Sequence, residues 1–124
     1  YGVAYVDITT GEFRVTELLD PESTAGEILS RDPAEVLVAE GDAGDQLIAA
    51  LQNTLQGRIV NRLPDWTAAE DRARQVLLEF FPGSSLESFG CHNMPCAIQA
   101  AGMILYYLEE TQKGAASHLQ PLTT

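Results

Sequence analysis

The sequence predicts an α/β fold, in which a mixed sheet carries helices packed on its faces. Its first two strand-like segments are separated by the short loop Thr9-Thr10-Gly11, which is typical of a β-hairpin. After this hairpin, short apolar runs alternate with segments of helical periodicity, which favours strands alternating with helices. The predicted order is ββαβαβαα, and 124 residues are enough for one domain with a continuous core.

The N-terminal half supplies the hairpin, a helix and a buried strand. The hairpin strands are predicted at residues 2–8 and 12–18. Asp20-Pro21 begins the first helix, because Asp is a favoured N-cap and the N–H that Pro lacks has no partner in a first helical turn. The helix stops before Pro33, and the apolar run at residues 36–39 predicts a buried strand.

The second half contains more helix. Asp42 is predicted to cap a helix over residues 42–55, which Gly57 ends, and residues 58–63 predict a further strand. Thr67 and Glu70 have the spacing of a capping box. This box predicts a helix that Pro82-Gly83 closes, and its core face is Ala73, Val76, Leu77 and Phe80. A single turn or connector is predicted at residues 85–90, and an apolar helix from Pro95 to about residue 114.

Charge and composition exclude several classes of function. Asp and Glu number 18 against 7 Lys and Arg, giving a net charge of −11. A surface this acidic repels phosphate backbones, so we expect weak or no DNA binding by this segment alone. The longest apolar run, residues 94–108, is shorter than the roughly 20 residues that span a bilayer. With two cysteines and no secretion signal, we expect a cytoplasmic protein.

The sequence favours neither of two possible metal sites. A nuclease needs carboxylates that converge on two ions, and acids near element ends could supply them. These acids are Asp7, Glu12, Glu35, Glu40 and Asp71. In a chain with so many acids, solvated side chains and helix caps are the favoured interpretation. Cys91, His92 and Cys96 match no closed zinc pattern, and Cys96 is predicted to be a small core residue.

Other cofactor and ligand sites find little support in the sequence. No glycine-rich phosphate loop is present, and only His92 and His118 are available as catalytic bases. Trp66 and the pair Tyr106-Tyr107 could stack on nucleobases. Their apolar surroundings favour core packing instead.

Three stretches of the chain together resemble one known family. They are residues 2–17, GVAYVDITTGEFRVTE, residues 33–40, PAEVLVAE, and a third near the C-terminal end. The first is similar to the strand–turn–strand of the connector domains of MutS DNA mismatch repair proteins, and the second to the next strand of those domains. Residues 100–113, AAGMILYYLEETQK, with His118-Leu119 after them, resemble the helix that leads into the MutS core. In this order the three stretches cover the chain nearly end to end.

The resemblance implies an RNase H-like fold with a further sheet strand before Tyr1. Residues 1–124 would form a single connector domain, with residues 115–124 beginning the link to the core. The implied role is non-catalytic: the domain links mismatch recognition to the core and ATPase domains and offers a surface to MutL. A metal-dependent nuclease of RNase H-like fold is the alternative.

The resemblance also implies where the partner binds. Residues 66–77 look like the connector region that contacts MutL, and the predicted contact residues are Asp71, Arg72, Arg74 and Gln75. We expect no cofactor in this segment, because ATP and magnesium belong to the ATPase domain of the parent protein, a DNA-dependent ATPase. The other partners implied are the remaining domains of the same chain and, in the full-length protein, mismatched DNA.

Overall fold

The computed structural model describes residues 1–81 and 94–111. The strands in this part of the chain are β1 (Gly2–Asp7), β2 (Glu12–Glu17), β3 (Glu35–Ala39) and β4 (Ile59–Leu63). The helices are α1 (Pro21–Arg31), α2 (Asp42–Ala50), α3 (Gln52–Leu55), α4 (Glu70–Phe80) and α5 (Pro95–Thr111), with a 3₁₀ helix at Asp65–Ala68. The predicted order is confirmed, apart from a break between α2 and α3 and the added 3₁₀ helix.

The N-terminal hairpin forms as predicted. Strands β1 and β2 pair antiparallel, from Gly2 opposite Glu17 to Asp7 opposite Glu12. Gly11 lies in the left-handed region at φ 78°, which a residue without a side chain adopts at little cost. Side chains alternate along β2, so Phe13 and Val15 point into the core, where they are 1% and 3% exposed.

The second strand pair is parallel and is connected through helices α2 and α3. Strand β3 pairs with β4 from Glu35 opposite Ile59 to Ala39 opposite Leu63. Gly44, in the first turn of α2, lies against the carbonyl oxygen of Ala39 so closely that a Cβ would not fit. This contact places α2 directly over the carboxyl end of β3, as a crossover between parallel strands requires.

The sheet differs in one respect from the expectation. Within residues 1–81 and 94–111, the strands form two separate pairs, β1–β2 and β3–β4, without a ladder between them. The protein is therefore a mixed α/β structure. A single mixed sheet is not present in this part of the chain.

The core lies between the hairpin and helices α4 and α5. Its buried members are Phe13, Val15, Ala73, Leu77, Ala97, Ile98, Ala101, Leu105 and Leu108. The predicted core face of α4 is confirmed, because Ala73 and Leu77 are fully buried and Val76 and Phe80 pack against the cluster. Helices α4 and α5 approach each other closely at Gly102, where an added Cβ would lie 2.6 Å from the Cβ of Ala73.

Asp20 caps the first helix as predicted. Its carboxylate accepts a hydrogen bond of 2.7 Å from the backbone N–H of Ser23, and Pro21 is the first helical residue. Because this bond favours the charged carboxylate, the pKa of Asp20 lies below its usual value.

The predicted helix over residues 42–55 is wrong in two details. Asp42 is the first helical residue and not the cap, since the N-cap is Gly41 at φ 108° without a side-chain hydrogen bond. The helix is also interrupted at Leu51, which has ψ 17°. Leu51 and Leu55 are only 3% and 6% exposed, so the break lies in a buried part of this segment.

The predicted capping box at Thr67 and Glu70 is also wrong. Thr67 lies in the 3₁₀ helix, and its hydroxyl donates a hydrogen bond of 2.6 Å to the carbonyl oxygen of Pro64. Helix α4 begins at Glu70 with Ala69 as an N-cap that makes no side-chain bond. Thr67 is therefore used to close the preceding turn, where it is 1% exposed.

Some predictions fall outside the described residues. These are the Pro82-Gly83 stop, the connector at residues 85–90, the end of the last helix near residue 114 and the link at residues 115–124. The start of α5 at Pro95 is confirmed. Among the helices of the described ranges, none has the length and apolar character needed to cross a membrane.

The close approach of α4 and α5 yields a stability prediction. Gly102→Ala should lower the free energy of unfolding by about 1–3 kcal/mol, because overpacking against Ala73 exceeds the gain in helix propensity. Gly26→Ala is the control, since Gly26 is in helix α1 and an added Cβ there would meet nothing within 4 Å. That variant should raise the free energy by about 0.5–1 kcal/mol. Urea unfolding measures both, and a Gly102→Ala protein as stable as wild type would contradict the packing argument.

Candidate interaction surface

Helix α4 divides into a buried face and an exposed polar face. Ala73 and Leu77 point into the core. The opposite side of the helix carries Asp71, Arg72, Gln75 and Glu79 together with Leu78, which is 40% exposed. Three of the four predicted partner residues are therefore exposed, and Arg74 is half-buried at the flank of the helix.

Arg74 and Gln75 are held by neighbours on their own helix. The guanidinium of Arg74 lies 2.9 Å from a carboxylate oxygen of Glu70, and the side-chain amide of Gln75 donates a bond of 3.1 Å to Glu79. Both are contacts between residues four apart, which stabilise a helix by only about 0.2–0.5 kcal/mol each. A partner that offers better acceptors can therefore replace them at small cost.

Arg72 makes a different contact. Its guanidinium carbon lies 4.7 Å from the ring centroid of Trp66, in a cation–π arrangement. Trp66 in turn meets Tyr106 of α5 edge to face, with centroids 5.1 Å apart and rings at 78°. The expected core packing of Trp66 is wrong, because this side chain is 46% exposed. The short 3₁₀ helix leaves one part of the ring packed on α5 and the rest in solvent.

The helix geometry places the four predicted partner residues on different sides of α4. Arg72 and Arg74 are two residues apart, which turns them by about 200° around the helix axis. They consequently lie on opposite flanks of α4, and residues at this spacing do not face each other. Asp71 and Gln75 lie between the two flanks on the outermost side.

The acidic residues near element ends do not form a metal site in the described part of the chain. No group of three or more His, Cys, Asp or Glu side chains there is placed to hold an ion. Asp7 instead closes the hairpin, where its carboxylate accepts bonds from the backbone N–H and the hydroxyl of Thr9. Glu12 pairs with Arg14 at 2.6 Å.

Glu35 connects the parallel strand pair to helix α5. Its carboxylate accepts hydrogen bonds from the amide of Asn61 on β4 and from the hydroxyl of Tyr107 on α5. The bond to the Glu35 carboxylate raises the pKa of Tyr107, with burial and the negative charge of Glu35 acting in the same direction. The geometry gives Glu35 a structural role at this junction.

Cys96 is exposed, and its predicted core position is wrong. The residue lies in the first turn of α5, where the carboxylate of Glu17 accepts bonds from the backbone N–H groups of Cys96 and Ala97 at 2.5 and 3.2 Å. The first turn of α5 therefore contacts strand β2 through its backbone N–H groups, and the thiol of Cys96 lies in solvent. Cys91 and His92 lie outside the described residues.

Comparison with family models decides the identity of the chain. Residues 1–120 match the model described as MutS domain II. The chain belongs to the MutS domain II family. The resemblance that the sequence showed in its hairpin, its third strand and its last helix is thereby confirmed over nearly the whole length.

Individual MutS proteins support the same assignment for this MutS domain II. The DNA mismatch repair protein MutS of Chlorobium limicola is 37% identical over 123 residues, which cover 98% of this chain. Those of Acaryochloris marina and Chlorobium phaeobacteroides are 38% and 37% identical and cover 100% and 99% of it. The matched region is only 14–15% of the length of these relatives.

Two large apolar residues are exposed on or beside helix α4. The sequence analysis assigned Trp66 to the core and did not single out Leu78, and they are 46% and 40% exposed. For Leu78 the signal was available, because it does not fall on the Ala73–Leu77 stripe. For Trp66 no periodicity exists in a single 3₁₀ turn, so only the structure shows its exposure.

The turn at Asp7 yields a prediction about pH. The hydroxyl of Thr9 holds the pKa of Asp7 below its usual 3.8, so Thr9→Val should raise that pKa towards the usual value. A lowered folded-state pKa stabilises the protein above about pH 4, and this contribution disappears as the pH falls through the folded-state pKa. The stability difference between wild type and Thr9→Val should therefore shrink on acidification.

Carboxyl NMR titration measures the pKa, and thermal unfolding at about pH 7 and about pH 3 measures the linkage. Thr10→Val is a neighbouring control, because its side chain is a smaller contributor to the pKa of Asp7. An Asp7 pKa that is the same in wild type and Thr9→Val would refute the assignment.

Proposed function

We propose that this MutS domain II is a non-catalytic connector that offers helix α4 as a docking surface to a MutL-type protein. The observation that carries the proposal is the exposed polar face of α4, centred on Gln75 and flanked by Arg74. In the same proposal, the domain links mismatch recognition to the core and ATPase domains of the longer chain.

The chemistry of this face suits a protein partner. Arg is enriched at protein interfaces, and its planar guanidinium forms several directed hydrogen bonds. Within residues 1–81 and 94–111, Arg74 and Gln75 are tied only to Glu70 and Glu79 on the same helix. Because these surface contacts contribute little to stability, the side chains can exchange them for acceptors on a partner.

The longer polypeptide supplies the remaining activities in this proposal. The relatives carry the name DNA mismatch repair protein MutS, and the matched region is about one seventh of their length. Mismatched DNA, ATP and magnesium are assigned to those other regions, in a cytoplasmic protein. The net charge of −11 supports this division, because it opposes direct contact of this domain with DNA.

We also propose that the two strand pairs are parts of one RNase H-like sheet. Within the described residues β1 pairs only with β2, and β3 only with β4. Each pair therefore presents an edge whose backbone groups another strand could use. A strand from elsewhere in the longer polypeptide, paired with both β1 and β3, would join them into a continuous mixed sheet.

The docking surface can be tested in the full-length protein. Arg74→Ala with Gln75→Ala should weaken binding of the MutL-type partner by about tenfold or more, because both side chains would lose hydrogen bonds made only in the complex. Mismatch binding and ATPase activity should stay near wild type. Surface plasmon resonance on mismatched duplex with ATP measures recruitment.

The matched control for this double variant is Arg14→Ala with Gln52→Ala, an exposed arginine and an exposed glutamine on other elements. Recruitment should be unchanged in the control. Unchanged recruitment in the α4 variant would exclude this helix as the contact. A loss of mismatch binding in it would mean that Arg74 and Gln75 support the fold.

The non-catalytic part of the proposal has its own test. The 124-residue chain should neither hydrolyse ATP nor cleave DNA or RNA with magnesium or manganese, since the carboxylates of Asp7 and Glu12 are held in a turn and in an ion pair. Nucleotide release and cleavage of labelled duplex are the measurements. Metal-dependent cleavage that disappears in Asp7→Asn would establish the nuclease alternative instead.

A further inference from the structure

Most of the arginines described in this acidic domain form ion pairs with carboxylates. Six arginines lie in the described ranges, and five of them have a carboxylate oxygen within 4 Å: Arg14, Arg31, Arg58, Arg62 and Arg74. The sixth, Arg72, has no such ion pair among the described residues, although it is exposed. Its guanidinium instead lies 4.7 Å from the centroid of the Trp66 ring.

The aromatic ring under Arg72 is held in place but not buried. Tyr106 contacts Trp66 edge to face at 5.1 Å, and Trp66 remains 46% exposed. A tryptophan fixed on one side by α5 loses little conformational freedom when a ligand covers its other side. Because Arg72 has no carboxylate partner among the described residues, its guanidinium N–H donors remain available for one.

We propose that Trp66 and Arg72 form a second contact point, which binds a carboxylate flanked by an apolar side chain on a protein partner. The guanidinium of Arg72 matches a carboxylate through paired hydrogen bonds, and the exposed part of Trp66 accepts the apolar group. Trp and Arg are also the residues that most often dominate protein interfaces.

A protein carboxylate fits this point better than a nucleic-acid phosphate. Three acidic residues, Asp65, Glu70 and Asp71, precede Arg72 in the sequence, and the domain carries a net charge of −11. A polyanion would meet repulsion over its whole length. A single carboxylate on an otherwise neutral or basic protein surface can pair with Arg72 alone. The acidic residues of this domain beside Arg72 then remain available to basic residues of the same partner.

The partner committed to here is the MutL-type protein, so the inference rests on the proposed function. Arg72 and Arg74 lie on opposite flanks of α4, and a standard interface buries about 800 Å² on each partner. A helix is only about 10 Å wide. A partner centred on Gln75 therefore extends over both flanks and reaches Trp66.

The experiment uses the full-length protein bound to mismatched duplex with ATP, and the purified MutL-type protein of the same organism as the probe. Arg72→Ala should weaken its binding about tenfold, and Arg72→Lys should give an intermediate loss, because lysine keeps the charge without the planar fork. The control Arg14→Ala, at an arginine with a 48% exposed side chain, should leave binding unchanged. Raising the salt concentration should weaken the wild-type complex more than the Arg72→Ala complex.

Each other outcome overturns the inference in a recognisable way. Unchanged binding in Arg72→Ala, with weakened binding in the Arg74→Ala, Gln75→Ala variant, would remove only the second contact point. Unchanged binding in both would remove the proposed docking surface as well. Weaker binding to duplex DNA with unchanged binding to the MutL-type protein would assign Arg72 to nucleic acid. A lower thermal midpoint together with loss of every activity would assign it to the fold.

Discussion

Helix α5 is buried from two sides, and its packing positions helix α4, the hairpin and the 3₁₀ helix. Its inner residues contact helix α4 on one side and the hairpin on the other, around Phe13 and Leu105. The approach to α4 depends on two small residues, because a side chain at Gly102 would collide with the backbone and Cβ of Ala73. Close packing of this kind is sensitive to single methyl groups.

Polar contacts then connect both strand pairs to the same helix. Glu17 of β2 accepts hydrogen bonds from the first turn of α5, which satisfies N–H groups that have no partner inside the helix. Glu35 of β3 accepts a bond from Tyr107, near the other end of α5. The hairpin and the parallel pair share no hydrogen-bonded ladder in the described residues, but each makes a side-chain hydrogen bond to α5.

This arrangement also determines which side of α4 meets solvent. With Ala73 and Leu77 against α5, the helix must turn its polar residues outward. Helix α4 therefore presents an arginine on each flank, although the chain as a whole has a net charge of −11. Such a surface is suited to directed contacts with another protein, since interfaces combine a few anchoring side chains with a polar surround.

The sequence by itself determined the element types, the α4 core stripe and the family. The element types and the stripe follow from signals within a few residues of each other, such as the Thr9-Thr10-Gly11 turn, the Asp20-Pro21 cap and alternation in β2, whereas the family follows from three stretches along the chain. Only the tertiary structure decided the break at Leu51 and the exposure of Trp66. It also decided that Arg72 and Arg74 face apart, with Arg72 over a tryptophan ring. The physical reason is that burial and side-chain partners depend on elements distant in the chain, whereas turns, caps and periodicity are fixed by local backbone geometry.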